Sequence, residues 1–72
     1  MNAKGRTMAF AVGQRVRLKF DYTTVLKEGA KGDVQQIVTG NFYDVLFDTK
    51  ADGDPIDPPD PVACPENDLE AD

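Results

Sequence analysis

The side chains that carry most enzyme chemistry are missing from this chain or stand alone. It contains no histidine and no serine, so the usual general base near neutral pH, the commonest metal ligand and any Ser/His/Asp arrangement are absent. The single cysteine, Cys64, sits between Ala63 and Pro65 with carboxylates and no basic residue near it in sequence. That setting disfavours a thiolate and reads as structural filler rather than a nucleophile. Asp48, Asp52, Asp54, Asp57 and Asp60 supply hard oxygen atoms, and Asp52-Gly53-Asp54 has a faint likeness to a calcium loop. The spacing and the terminal glutamate of an EF-hand are missing, so a solvated acidic segment is the better reading. No enzyme, no metal site and no cofactor is expected.

Two surface groupings remain. Arg15, Arg17 and Lys19 alternate with Val16, Leu18 and Phe20, which puts the cations on one side of an extended chain and the apolar groups on the other. A basic stripe on a strand is one way to meet nucleic-acid phosphate. The charge balance argues against that use. Residues 1–43 carry seven basic groups against three carboxylates, a net of +4, while residues 44–72 carry ten carboxylates against Lys50, a net of −9. The bland expectation is a stripe paired with the chain's own carboxylates. The second grouping is Phe42 and Leu46, two large apolar residues on the side of a strand opposite the core-facing Tyr43, Val45 and Phe47. Such groups on an outer face mark a candidate protein interface.

The elements that would position these residues are short strands. At 72 residues the chain is one domain, near the lower limit for folding on an apolar core alone. Residues 1–8 lack any pattern and read as a flexible arm, with Met8 an alternative start; residues 9–71 form the domain. The expected core is Val12, Val16, Leu18, Phe20, Leu26, Val34, Ile37, Tyr43, Val45, Phe47 and Leu69. Strand one is expected from Gln14 to Asp21, then a loop from Tyr22 to Ala30 anchored inward by Leu26. Lys31-Gly32-Asp33 is expected to turn into a second strand from Asp33 to Thr39. Val34 and Ile37 stand three apart, which breaks alternation and predicts a bulge. Thr39-Gly40-Asn41 makes a hairpin loop into a third strand, Phe42 to Asp48.

Thr49 to Pro61 is dense in Asp, Pro and Gly, so a long loop is expected there, with room for no more than a short edge strand near Ile56 or Val62. Its two PxxP spacings read as a stiff extended segment, not as a ligand. Pro65-Glu66-Asn67-Asp68 predicts one helical turn, since proline suits a first helical position, and Leu69-Glu70 a last short strand. One cysteine allows no disulfide framework. The first residues lack the apolar run of a signal peptide, and no stretch nears the length of a membrane span. A cytoplasmic protein with no membrane association is expected.

Over about residues 10–71 the chain resembles the SH3-like small-barrel superfamily. Gly13-Gln14-Arg15-Val16-Arg17-Leu18 matches its opening strand. Gly29-Ala30-Lys31-Gly32-Asp33-Val34 is similar to the second strand of KOW-type barrels. Phe42 to Asp48 and Pro65 to Glu70 resemble the third strand and the closing turn and strand. The resemblance implies an all-β barrel of about five antiparallel strands. Leu18-Lys19-Phe20-Asp21-Tyr22 is also similar to the opening motif of signalling SH3 domains, but the tryptophan of their polyproline platform is missing. This barrel hosts many roles, so fold does not fix function. The expected function is a small non-enzymatic binding or accessory module acting through a protein partner or self-association. The alternatives are a nucleic-acid-binding barrel that uses Arg15, Arg17 and Lys19, and a small accessory subunit of an enzyme.

Overall fold

The computed structural model describes residues 9–38 and 41–72. Five antiparallel strands, β1 (Arg15–Leu18), β2 (Lys31–Ile37), β3 (Phe42–Thr49), β4 (Pro55–Pro65) and β5 (Leu69–Ala71), form one sheet in the order β4-β3-β2-β1-β5. A 3-10 turn over Glu66–Asp68 separates the last two strands. The five strands, the turn after Pro65 and the closing strand agree with the sequence. Closure into a barrel does not emerge: β4 and β5 are the two edges, and no pairing joins them. The expected arm over residues 1–8 and the hairpin positions Thr39 and Gly40 lie outside the described residues.

One face of the sheet carries the core. On β3 Tyr43, Val45 and Phe47 are fully buried, and Val16, Leu18, Val34, Leu26 and Leu69 pack with them. The period-two pattern of β1 and β3 produces this directly, because alternate side chains leave a pleated strand on opposite sides. The core also takes in Phe10, Ala30, Ile56 and Cys64. Phe10 meets Tyr43 edge to face, with ring centroids 5.3 Å apart, an arrangement favoured by the aromatic quadrupole.

Two expected core residues lie outside. Val12 and Phe20 are 62% and 54% exposed. Val12 sits at the tip of a turn closed by Gln14 N–H donating to the Ala11 carbonyl at 3.0 Å. Phe20 shares the phase of Val16 and Leu18, but β1 ends at Leu18 instead of running to Asp21. Beyond it Lys19 N–H donates to the Asp68 carbonyl at 2.8 Å, and the chain turns into a loop. That loop holds itself. Asp21 accepts from Glu28 N–H at 2.8 Å, Thr23 Oγ1 from Leu26 N–H at 2.9 Å, and Leu26 points into the core as expected.

Lys31-Gly32-Asp33 is not a turn. The turn falls earlier, at Gly29 with φ of +99°, and β2 already pairs with both neighbours at Gly32, facing Val16 on β1 and Phe47 on β3. A side chain here has no room: a Cβ would lie 2.8 Å from the Leu46 carbonyl carbon and from Phe47 Cα, with the Leu46 oxygen closer still. Glycine is required by the approach of β3 and not by backbone conformation. The broken alternation between Val34 and Ile37 is a bulge, for the register of β2 on β3 slips between Val34 and Gln36. β2 stops at Ile37, short of the expected Thr39.

The Pro/Asp segment is the largest departure. It is mostly strand, β4, with a tight turn before it in which Lys50 N–H donates to the Asp54 carbonyl and Gly53 takes φ of +97°. Pro61, Ala63 and Pro65 stand opposite Leu46, Asp44 and Phe42. Phe42 spends its carbonyl on Val38 of the β2 side, so residues of this phase on β4 direct their backbone groups away from β3. Proline has no N–H to lose there, and an edge strand tolerates it. Between Asp60 and Pro55 the pairing is interrupted, and Ile56 dips into the core.

Two substitutions test this architecture. Phe47→Ala removes a fully buried aromatic and should cost about 3–5 kcal/mol, read by urea denaturation. A midpoint near wild type would contradict the facing of β3. Gly32→Ala should destabilise by about 1–3 kcal/mol through overpacking against β3, whereas a neutral result would show that the β2–β3 contact can open at little cost.

Candidate functional site

Both sequence-derived groupings fall on the outer face of the sheet, opposite the core, and the strand register brings them together. β1 contributes Arg15 and Arg17, β2 Lys31 and Asp33, β3 Phe42, Leu46 and Asp48, and β5 Glu70. Arg15 stands across from Asp33, Arg17 across from Lys31 and Glu70, and Asp33 across from Leu46. Lys19 is apart from this set. It lies past the end of β1, exposed, and forms no ion pair among the described residues.

The basic stripe is paired. One guanidinium nitrogen of Arg15 donates to Asp48 Oδ2 at 2.7 Å and to Asp33 Oδ1 at 3.1 Å. Arg17 Nε donates to Glu70 Oε2 at 2.7 Å, and its terminal nitrogen reaches Asp72 at 3.4 Å. Lys31 Nζ shares Asp72 at 3.3 Å. Three cations thus meet four carboxylates in a lattice of two clusters, Arg15 with Asp33 and Asp48, and Arg17 and Lys31 with Glu70 and Asp72. The hydrogen bond to Asp48 raises the Arg15 pKa above its ordinary value, and that to Glu70 does the same for Arg17. Reciprocally, Arg15 holds the Asp48 carboxyl below the usual range, with Thr49 Oγ1 donating to its other oxygen at 2.8 Å. These groups are half exposed, where single ion pairs contribute little to stability. Their effect is to leave this half of the face with no excess positive charge.

The other half of the face is apolar. Phe42 is 44% exposed and Leu46 half-buried on the same side of β3. Val38, just past the end of β2, stands beside Phe42, joined by Val38 N–H donating to the Phe42 carbonyl at 2.8 Å. Pro65 and Pro61 stand beside Phe42 and Leu46 on β4. Between the two apolar rows lies Asp44, which accepts from Gln36 Nε2 at 2.7 Å. Val38 and the β4 prolines were missed by sequence reading, because their proximity to Phe42 follows from pairing and not from any local pattern.

The remaining polar chemistry is structural. Tyr22 donates to Asp68 Oδ2 at 2.5 Å and Tyr43 to Glu66 Oε1 at 3.1 Å, so each tyrosine ties the 3-10 turn to the core. Burial, with Asp68 adding to it, pushes the Tyr22 phenol far above its ordinary pKa. Burial likewise pushes the Cys64 thiol up to about 11, so it is protonated at neutral pH and enclosed by the core. No group of three or more metal-ligating side chains occurs among the described residues. No helix there is long and apolar enough to cross a membrane. A shallow open groove of about 260 Å³ lies between the Thr24–Lys27 loop and the Lys50–Asp52 turn, lined by both lysines, Val25 and Asp52. Comparison of the chain with protein-family models, with curated proteins and with solved structures finds no match to any of them.

The ion-pair lattice predicts an acid response. Because the Asp48 pKa is lowered by folding from an ordinary 3.8, its contribution is fully present above that pH and is lost as pH falls through the lower folded value. Asp48→Asn should therefore flatten the acid limb of a stability–pH profile measured by urea titration. Parallel limbs for the two proteins would show that Asp48 does not carry this response.

Proposed function

We propose that the chain is a small non-enzymatic binding module that acts through protein contacts made by the apolar half of its outer face. One observation carries the reading: Phe42, exposed and flanked by Val38 and Pro65, is joined on the same face, across Asp44, by Leu46 and Pro61, while Arg15, Arg17 and Lys31 on that face are taken up in ion pairs. Burying groups of this size is worth about 1.5–3 kcal/mol each, and exposed apolar groups clustered among polar ones are the form an interaction surface takes. An SH3-like arrangement is supported by the order β4-β3-β2-β1-β5 and by the 3-10 turn before the last strand. The paired cations speak for protein over nucleic acid, since a phosphate would have to displace carboxylates already held by Arg15 and Arg17.

Affinity capture from the native host tests the reading, with wild type compared to a Phe42→Ser/Leu46→Ser variant whose folding is checked by its melting transition. A protein enriched by wild type and lost from the variant is expected. Identical captures would remove the face from consideration. Fluorescence anisotropy with labelled single- and double-stranded oligonucleotides covers the alternative, and no measurable binding is expected at physiological salt. Micromolar binding that weakens in Arg17→Ala would instead favour a nucleic-acid role for Arg15, Arg17 and Lys19.

A further inference from the structure

We propose that the partner of this face is a cationic protein segment bearing apolar side chains, which lies across β3 and β4 without adding a strand to the sheet. The inference rests on the interaction reading above and concerns the chemistry of the occupant. Three independent observations define it.

The first is the distribution of unneutralised charge. From Phe42 to Pro65 the β3–β4 hairpin carries six carboxylates and a single cation, Lys50. Of these only Asp48 enters the lattice with Arg15, and Asp44 is held by the neutral amide of Gln36. Asp52, Asp54, Asp57 and Asp60 are all exposed; Asp52 and Asp54 lie at the hairpin end, and Asp60 stands on β4 opposite Phe47. The cations of the outer face, Arg15, Arg17 and Lys31, are spent on the β5–β1–β2 side, so the hairpin that bears the apolar groups keeps a net negative charge. Complementary charge on a partner speeds encounter and fixes orientation.

The second observation excludes strand addition at β4. Its outward backbone positions opposite Leu46, Asp44 and Phe42 are Pro61, Ala63 and Pro65. Two of these have no N–H, so an added strand finds one donor where a regular ladder offers one at every outward position. A partner must therefore be held by side chains on the face and not by main-chain pairing along the edge. The third is that a second copy is a poor occupant. The chain has a net charge of −5, and two such faces would bring their carboxylates together around an apolar centre.

The test uses the full chain, isotopically labelled, and three twelve-residue probe peptides that alternate leucine with lysine, serine or glutamate. Amide shifts are followed by NMR at low and high salt, and sedimentation reports self-association. The lysine peptide is expected to shift the amides of Phe42 to Asp48 and of Ala63. It should bind about tenfold more tightly than the serine peptide at low salt and lose most of that margin at high salt. Phe42→Ser should weaken it, and the glutamate peptide should leave the spectrum unchanged. Equal binding of the lysine and serine peptides overturns the cationic occupant while leaving the apolar interface standing. Lysine-peptide binding that ignores Phe42→Ser, or shifts confined to residues 52–60, shows charge attraction alone and overturns the proposal. A wild-type dimer that Phe42→Ser/Leu46→Ser dissociates makes a second copy the occupant and overturns it as well.

Discussion

The withdrawal of Tyr43, Val45 and Phe47 from water governs everything else in this molecule. A chain this short can cover only one side of a sheet, and β3 commits its large residues to that side with strict alternation. A slip of one residue would expose all three, so the pattern fixes the register of β3 against both neighbours. From that register follow the glycine at position 32, where β2 and β3 come too close for a side chain, and the enclosure of Cys64 opposite Tyr43. The two tyrosine hydroxyls that reach the 3-10 turn extend the same constraint to β5, whose Leu69 seals the end of the core.

With one side committed, the outer face had to be made compatible with water by other means, and its two halves do so differently. Across β5, β1, β2 and the end of β3, Arg15, Arg17 and Lys31 are met by Asp33, Asp48, Glu70 and Asp72, so cations that look like a ligand-binding stripe in one dimension are consumed in two. Past the end of β2 and across β3 and β4, Phe42 stands between Val38 and Pro65, and Leu46 stands opposite Pro61. Among the described residues, the polar pairing of that half is the Gln36–Asp44 hydrogen bond. The difference between the halves is what turns an outer face into a directional surface.

Much of this was legible from the chain because the relevant forces act locally. Alternation in Val16–Leu18 and Tyr43–Phe47, the inward Leu26, the bulge after Val34 and the turn after Pro65 all leave short-range marks. The failures share a different cause. Phe20 keeps the phase of a core residue but follows the point where Lys19 is captured by Asp68, nearly fifty residues away. Gly32 looks like a turn residue, yet its reason is the backbone of β3. The prolines of β4 argue against a strand only if the strand is central, and nothing local says that it is an edge. For the outer face, Phe42 and Leu46 were visible as misplaced apolar groups, whereas Val38, Pro61 and Pro65 join them only through long-range register.

The pairing of β5 with β1 gives the charge division a second meaning, one that concerns the unfolded chain. Arg17 and Glu70 must find each other across more than fifty residues of intervening sequence, a closure of the kind that makes sheet proteins slow to fold. The two ends of the chain differ in sign, net positive before β3 and strongly negative after it begins. Before any strand has formed, the halves therefore attract, and the attraction shortens the search that joins the first strand to the last. Salt would screen that attraction in the flexible chain more than it weakens the close contacts of the finished sheet. The asymmetry thus acts on the rate at which the molecule assembles, separately from what its surface does once assembled.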